Sequence, residues 1–285
     1  MGSPQADAGG LGRSPIWKMQ DELRISLSPP RLSVLHGLSQ MVENFGASQG
    51  LPASKIYMIN LALDELVANS VSYGFDGVAD PRIDITMWVS GTLLVLTVVD
   101  NGRQFDPLTS ASPDLSSPLE QRPIGGLGLH LIRTFADRLT YQFTDGRNRL
   151  TLEHNRAPGK QEPEQAEERD MPMDIEVAEE RNDDVLVLLP VGRLDSGNAR
   201  SFESVVMQRI SGGEQRLIID FSRLDFISSS GLRVLLIAAK ALKSGQGTLV
   251  LCGMRTHIEE VFRISGFDRI IPIRASREAA LEASA

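Results

Sequence analysis

The chain has 285 residues, of which 41% are apolar and 23% charged, a balance that supports one large or two small folded domains and excludes a disordered, collagenous or disulfide-scaffold protein. A formal charge of -8 and a pI near 5.1 leave no basic footprint for nucleic acid or an anionic membrane. The single Cys252 has no thiol to pair with and no metal-ligand spacing around it, so a reducing cytoplasm is expected. No apolar run reaches the roughly 20 residues of a membrane span.

The composition shifts at 157–172 (APGKQEPEQAEERDMP), a proline-containing acidic stretch without apolar periodicity, which reads as a linker. Thirteen basic and 16 acidic residues precede it, and 14 and 16 follow it, so neither flank is strongly polarised. The expected organisation is a loose leader at 1–19, a first domain at 20–156, the linker, and a second domain at 173–285.

In the first flank a short strand is expected over Leu23–Leu27 and a helix over Arg31–Phe45. A longer helix should run from Ala53 to Ser72, with Ile59, Ala62, Leu63 and Leu66 spaced as a buried stripe. Strands Arg82–Val89 and Leu93–Val99 should form a hairpin about Ser90-Gly91. Residues 103–124 carry four prolines and little periodicity, which is long for an idle connection. A helix over Leu127–Ala136 follows, then a hairpin of Arg138–Phe143 and Arg149–His154 about Asp145-Gly146.

The second flank alternates strands (Ile175–Ala178, Val185–Val191, Leu217–Phe221, Thr248–Cys252, Arg269–Ile273) with helices (Asn198–Ile210, Ser230–Ser244, His257–Ser265), which predicts a small sheet with helices packed on it. The expected fold class is therefore α+β.

Three segments carry candidate chemistry. Glu65 and Asn69 lie one helical turn apart on one face, with Tyr73 continuing the row. An Asn carbonyl there can complete the oxygen shell of Mg²⁺ and the Glu can deprotonate a hydroxyl, although an exposed polar helix face has the same pattern. Asp100 ends an apolar strand in Asp100-Asn101-Gly102, where a carboxylate can accept from the exocyclic amine of adenine; a plain turn also favours these residues. Gly125-Gly126-Leu127-Gly128 opens a helix and offers free amides and a positive helix end to phosphate, or is an ordinary helix entry. It is neither a Walker loop nor a dinucleotide fingerprint.

In that order the segments E-x-x-x-N, D-x-G-x-x-F-D and G-G-L-G-L-H-L-I resemble the N, G1 and G2 boxes of the Bergerat (histidine-kinase-like) ATPase fold, and within it the anti-sigma-factor serine kinases. The resemblance implies a two-layer α/β sandwich that binds ATP and Mg²⁺. It makes Glu65 the catalytic base, Asn69 the Mg²⁺ ligand, Asp100 the adenine reader, Gly102 the close-approach glycine and Gly126 and Gly128 the phosphate-loop glycines. Residues 103–124 take the place of the ATP lid. Where relatives often carry a Thr beside the adenine, the nearest positions are Asn148 and Arg149, with Thr151 out of register. No helical hairpin precedes the domain to present a phospho-accepting His, which disfavours a histidine kinase.

In the second flank, Ser228-Ser229-Ser230-Gly231 precedes the apolar helix Leu232–Leu242. Serines there can cap the helix, or one can accept a phosphate that the helix end tolerates. From Val185 through Gly192-Arg193-Leu194-Asp195 to Gly266-Phe267-Asp268-Arg269-Ile270 this flank resembles a STAS domain of the anti-sigma-factor antagonist type. Alignment on Gly231 puts Ser229 at the family's phosphoacceptor position and Ser228 where an Asp often stands.

The fusion implies a partner-switching regulator: an Mg-ATP-dependent serine kinase that phosphorylates Ser229 in cis or in trans, or a separate STAS antagonist, to control transcription. A sigma factor is the expected output partner and a homodimer through the kinase domain the expected assembly, with no nucleic acid or membrane. The alternative is a non-catalytic nucleotide-sensing anti-sigma module inhibited by its own STAS domain.

Overall fold

The computed structural model describes residues 22–155 and 175–284, so the expected leader and linker lie outside the described residues. The first unit holds strands β1 (Glu22–Leu27), β2 (Ile83–Ser90), β3 (Leu93–Asp100), β4 (Arg138–Thr144) and β5 (Arg147–Asn155), and helices α1 (Leu35–Ser48), α2 (Ala53–Asn69) and α3 (Leu127–Phe135). The strands form an antiparallel sheet in the order β1-β2-β3-β5-β4. Alternation of side chains along a strand buries Ile83, Ile85 and Met87 of β2 and Leu94, Leu96 and Val98 of β3. These pack with Ile59, Ala62 and Leu63 of α2 and Leu131 and Ile132 of α3. The hairpin between β4 and β5 turns on Asp145 and Gly146, both at positive φ (52° and 70°), the backbone that an Asp-Gly pair favours.

The second unit holds β6 (Glu176–Asn182), β7 (Val185–Leu194), β8 (Arg216–Asp220), β9 (Leu224–Ile227), β10 (Thr248–Cys252) and β11 (Ile273–Arg274), with α4 (Ala199–Ser211), α5 (Ser229–Ser244), α6 (Thr256–Ile264) and α7 (Arg277–Ser284). Its sheet runs β11-β10-β8-β7-β6, with β9 pairing β7. The pairs among β7, β8, β10 and β11 are parallel and β6 is antiparallel. Both units are mixed α and β, as the composition of the flanks implies.

Two local expectations need correction, and two elements had no reading in the sequence. The long helix does not run on to Ser72: α2 ends at Asn69, and Ser70–Gly74 form a wider π-helical turn that takes Tyr73 off the row of Glu65 and Asn69 and leaves it three-quarters exposed. The expected strand Arg269–Ile273 is instead a 3-10 turn at Phe267–Arg269 and the two-residue β11, because Phe267 is drawn fully into the core and Gly266 enters the turn left-handed at φ +65°. Strand β9, not read from the sequence, forms because its backbone finds β7 as a partner. Helix α7 was not expected; its alanine-rich stretch gains its apolar contacts only by lying across the otherwise bare sheet face of Val187, Ile218 and Val250.

The two units share apolar packing. Tyr57 of α2 is buried, with its ring 5.1 Å from that of Phe226 and 4.7 Å from that of His257. Its hydroxyl donates to the Ile227 carbonyl (3.0 Å) and accepts from the Ile227 amide (3.3 Å). Burial holds that phenol well above its ordinary pKa, so it stays a donor.

Candidate functional site

Helix α2 presents Glu65 and Asn69 from its last turns. The Asn69 amide donates to Glu65 Oε1 at 2.9 Å, fixing the carboxylate as the i, i+4 spacing suggests. Gly128, in the first turn of α3, lies against the same carboxylate: a Cβ there would fall 1.9 Å from Glu65 Cδ. Glycine leaves the space that the Glu65 carboxylate occupies; a side chain there would displace it from this position. Just before it, Gly125 and Gly126 have φ of +125° and +76° with open space where side chains would be. No side chain caps the start of α3, so its first amides point outward unclaimed by a capping group.

Asp100 stands at the end of β3, held from three sides. Its Oδ1 accepts from the Gly102 amide (2.8 Å) and from Asn148 Nδ2 (2.9 Å), and its Oδ2 accepts from Ser70 Oγ (3.2 Å). The π-helical turn explains the proximity of Ser70, and it also sends the Gly74 carbonyl to the Arg103 amide (2.9 Å). A Cβ on Gly102 would sit 2.8 Å from Asp100 Oδ1 and 2.9 Å from the Gly74 carbonyl oxygen. The turn therefore requires glycine for packing reasons, independent of any ligand.

Asn148 was noted in the sequence only as a position without the usual Thr. It is paired across the ladder with Asp100 and buried. Besides holding Asp100, its amide donates to the Arg103 carbonyl (2.9 Å), and its carbonyl accepts from Tyr141 Oη (2.7 Å) and the Phe105 amide (3.1 Å). Counting outward from Asp145-Gly146 pairs Asn148 only with Phe143 of β4; its pairing with Asp100 depends on how β5 aligns on β3. Thr151 faces Thr97 instead, with their hydroxyls 3.3 Å apart.

At the serine turn the capping role falls to one residue. Ser228 is fully buried and is the N-cap of α5, accepting from the Gly231 amide at 3.3 Å. Ser229, the first helical residue, does not cap; its hydroxyl donates to Glu65 Oε2 of the first unit. Glu65, Asn69, Gly128 and Ser229 thus converge at one point, while Asp100, Gly102 and Asn148 form a second cluster at the end of β3.

A buried polar network beside this point had no sequence signal. Asp64, next to Glu65 on α2, accepts from the Ser196 amide (3.0 Å) and the Ser196 hydroxyl. The Ser196 and Ser230 hydroxyls are 2.8 Å apart. Nearby, Arg193 Nη1 reaches Glu43 Oε1 (3.2 Å), its guanidinium 4.0 Å from the Phe226 ring centroid. Leu35, Leu38, Ser39, Asn60, Asp64, Arg193 and Asp195 border a cavity of about 10 Å³ between the units, room for a single water.

Burial pushes the Asp64 carboxyl up to about 7; the two Ser196 bonds oppose this, and the negative charges of Asp195 and Glu65 add to it. With the units apart, Asp64 should return toward its ordinary value of 3.8. The docked state then binds the extra proton, so its stabilisation is complete below pH 3.8 and is lost as pH rises through 7. Docking is expected to tighten by at most about tenfold per pH unit on acidification within that window, and to be level above it. Energy transfer between dyes on the two units, followed from pH 5 to 8, checks this. Asp64→Asn should flatten the profile, whereas an unchanged slope would remove Asp64 as its source.

Among the described residues no group of three or more His, Cys, Asp or Glu side chains is placed to hold a metal ion, and no helix is long and apolar enough to cross a membrane.

Comparison with known proteins gives the family. Residues 28–154 match the histidine kinase-like ATPase domain and residues 176–280 match the STAS domain. The second unit is 46% identical over 101 residues to the anti-sigma factor antagonist BtrV of Bordetella bronchiseptica, covering 35% of this chain and 87% of that protein. The first is 36% identical over 102 residues to the serine/threonine-protein kinase BtrW of the same organism, covering 36% of this chain and 72% of that protein. It is also 29% identical over 133 residues to the serine-protein kinase RsbW of Listeria monocytogenes, covering 45% and 83%. This chain belongs to both families, joining a histidine kinase-like ATPase domain of the anti-sigma-factor kinase type and a STAS domain of the antagonist type in one partner-switching polypeptide.

Proposed function

We propose that this protein is an ATP-dependent serine kinase whose substrate is its own STAS domain, with Ser229 as the acceptor. The observation that carries this reading is the hydrogen bond from the Ser229 hydroxyl to Glu65, which brings a nucleophile and a base within reach before any nucleotide is considered. The surroundings fit a nucleotide. Open left-handed glycines and uncapped amides at α3 suit its phosphates, Asp100 suits the adenine amine, and the Asn69 side-chain oxygen suits Mg²⁺. Bound there, Mg²⁺ would neutralise charge developing on the phosphates.

In the transfer, Ser229 Oγ attacks the γ-phosphorus of ATP as its proton passes to Glu65. The new O–P bond forms as the bond from the γ-phosphorus to the bridging oxygen breaks, leaving ADP and phosphoserine. Asn69 and Gly128 hold the Glu65 carboxylate in line for this step. Phosphoserine would then put about two negative charges against Glu65 and close to Asp64 and Asp195, so repulsion drives the units apart. The exposed ATPase face is then free for a second regulator; the names of the relatives point to a sigma factor or a separate STAS antagonist.

The test is intact mass with peptide mapping after incubation with Mg²⁺-ATP. One phosphate on Ser229, absent in Ser229→Ala, is the expected result. Unchanged mass with ATP bound would overturn it in favour of a nucleotide-sensing module inhibited by its own STAS domain.

A further inference from the structure

The carbonyl end of α6 in the STAS domain is capped by the ATPase domain. Helix ends leave their last carbonyls without intrahelical partners, and their partial negative charge favours a cation. Here Arg122, from the 103–124 segment, donates through Nη1 to the Gly266 carbonyl (2.8 Å) and through Nη2 to the Ser265 carbonyl (2.7 Å). Its guanidinium lies 5.5 Å from the centroid of Phe267. A His130 ring nitrogen of α3 is 3.4 Å from the Ile264 carbonyl, so three successive carbonyls are met from the other domain. Arg122 is 2% exposed in a segment whose neighbours Gln121, Pro123 and Ile124 include exposed positions, and Ile124 is half exposed.

The grip is returned from the STAS side. Lys240 of α5 donates to the Arg122 carbonyl (2.6 Å) and the Glu120 carbonyl (3.3 Å), and Lys243 pairs with Glu120 at 2.5 Å. The pinned residue stands three positions before Gly125, where the open glycine turn begins.

We propose that Arg122 is the positioning residue by which the lid segment recognises a docked STAS domain, so that lid order, nucleotide retention and domain docking form one coupled equilibrium. Docking fixes the lid at 120–122 and restricts the glycine turn that follows, so a nucleotide seated there meets a lid already ordered. By reciprocity, a nucleotide that orders the lid tightens docking by the same factor. Arg122 suits this because its planar fork spans two adjacent carbonyls, which a lysine ammonium cannot match. The nucleotide part of this inference rests on the function proposed above; the latch itself rests on the contacts alone.

Hydrogen exchange of the nucleotide-free full chain tests the latch without any catalytic step. Arg122→Ala should speed amide exchange at 115–124 and around 264–267 by about 10- to 100-fold, as expected for losing two hydrogen bonds from a charged donor. Lys240→Ala, on the other domain, should speed exchange at 115–124 as well. Arg122→Lys should restore only part of the protection. Release of a fluorescent ADP analogue should accelerate in Arg122→Ala by about tenfold for a coupling of ordinary size. Wild-type lid exchange in both Arg122→Ala and Lys240→Ala overturns the latch, as does acceleration spread evenly through β2 and β3, which would indicate general destabilisation. Altered lid exchange with unaltered analogue release overturns the coupling to nucleotide. Failure of the wild-type chain to bind the analogue at all, with the lid protected, would sink the nucleotide reading and leave the latch standing.

Discussion

Glu65→Gln is expected to slow phosphate transfer to Ser229 by about 10²- to 10⁴-fold, the usual contribution of a positioned general base. Glutamine preserves the length of the side chain: its carbonyl oxygen can keep accepting from Asn69 while its NH2 takes the place of Oε2 and donates to the Ser229 hydroxyl oxygen, so that contact persists with its direction reversed. What is lost is basicity. Phosphorylation rate and domain docking should therefore separate: the first collapses, while energy transfer between the two units stays at the wild-type level. Glu65→Ala is the less informative variant, because it also removes the partner of two donors and the carboxylate that packs on Gly128. A Glu65→Gln protein that phosphorylates Ser229 at full rate would show that another group takes the proton.

Tyr57→Ala is expected to have the opposite signature, weakening docking by about 2–4 kcal/mol, as truncation of a buried aromatic anchor does. The ring fills the space between Phe226 and His257, and the hydroxyl meets both backbone groups of Ile227. Ile227 directly precedes the cap Ser228 and the proposed acceptor Ser229, so the same side chain that joins the units also sets where Ser229 lies. Transfer in cis should fall with the docked fraction, and the ATP dependence of the remainder should stay near that of the wild type. Tyr57→Phe keeps the ring and isolates the hydroxyl, for which about 1–3 kcal/mol is expected if the Ile227 groups are left unpaired. Denaturation of each variant separates lost docking from lost folding. Unaltered energy transfer in Tyr57→Ala would remove Tyr57 as an anchor.

The two substitutions together distinguish chemistry from placement. In the proposed transfer Glu65 acts at the reacting proton, whereas Tyr57 acts through the backbone that carries Ser229. A buried network centred on Asp64 adds a third influence, one that varies with pH because a carboxyl next to Glu65 and Asp195 is costly to ionise. Phosphorylation of Ser229 would bring still more negative charge to the same place, which gives the switch a physical basis in repulsion rather than in any rearrangement of the fold.

Much of the fold and part of the site can be read along the chain because both depend on short-range spacing. Alternation and the Asp145-Gly146 turn set the β4–β5 hairpin, and the apolar stripe of α2 sets which of its faces is buried. The i, i+4 relation of Glu65 and Asn69 survives as a hydrogen bond, and the order of the three glycine- and carboxylate-bearing segments identifies the ATPase type. Register and docking are beyond such reading. Asn148 meets Asp100 only once β5 is aligned on β3, and the π-helical turn after Asn69 brings Ser70 to that same carboxylate. Sequence alone left the cap open among three serines, while the STAS resemblance put Ser229 at the acceptor position; helix α5 gives the cap to Ser228 and turns Ser229 toward Glu65.

Tyr57, Asp64, Arg122 and Arg193 carry no local pattern at all, since their partners lie more than a hundred residues away on the other domain. Periodicity and motif spacing are properties of neighbours in the chain, and they determined the two domain types and the residues offered for chemistry. Which of those residues meet, and which buried donors hold them there, depends on surfaces that exist only after both sheets have formed, and only the tertiary structure decided it.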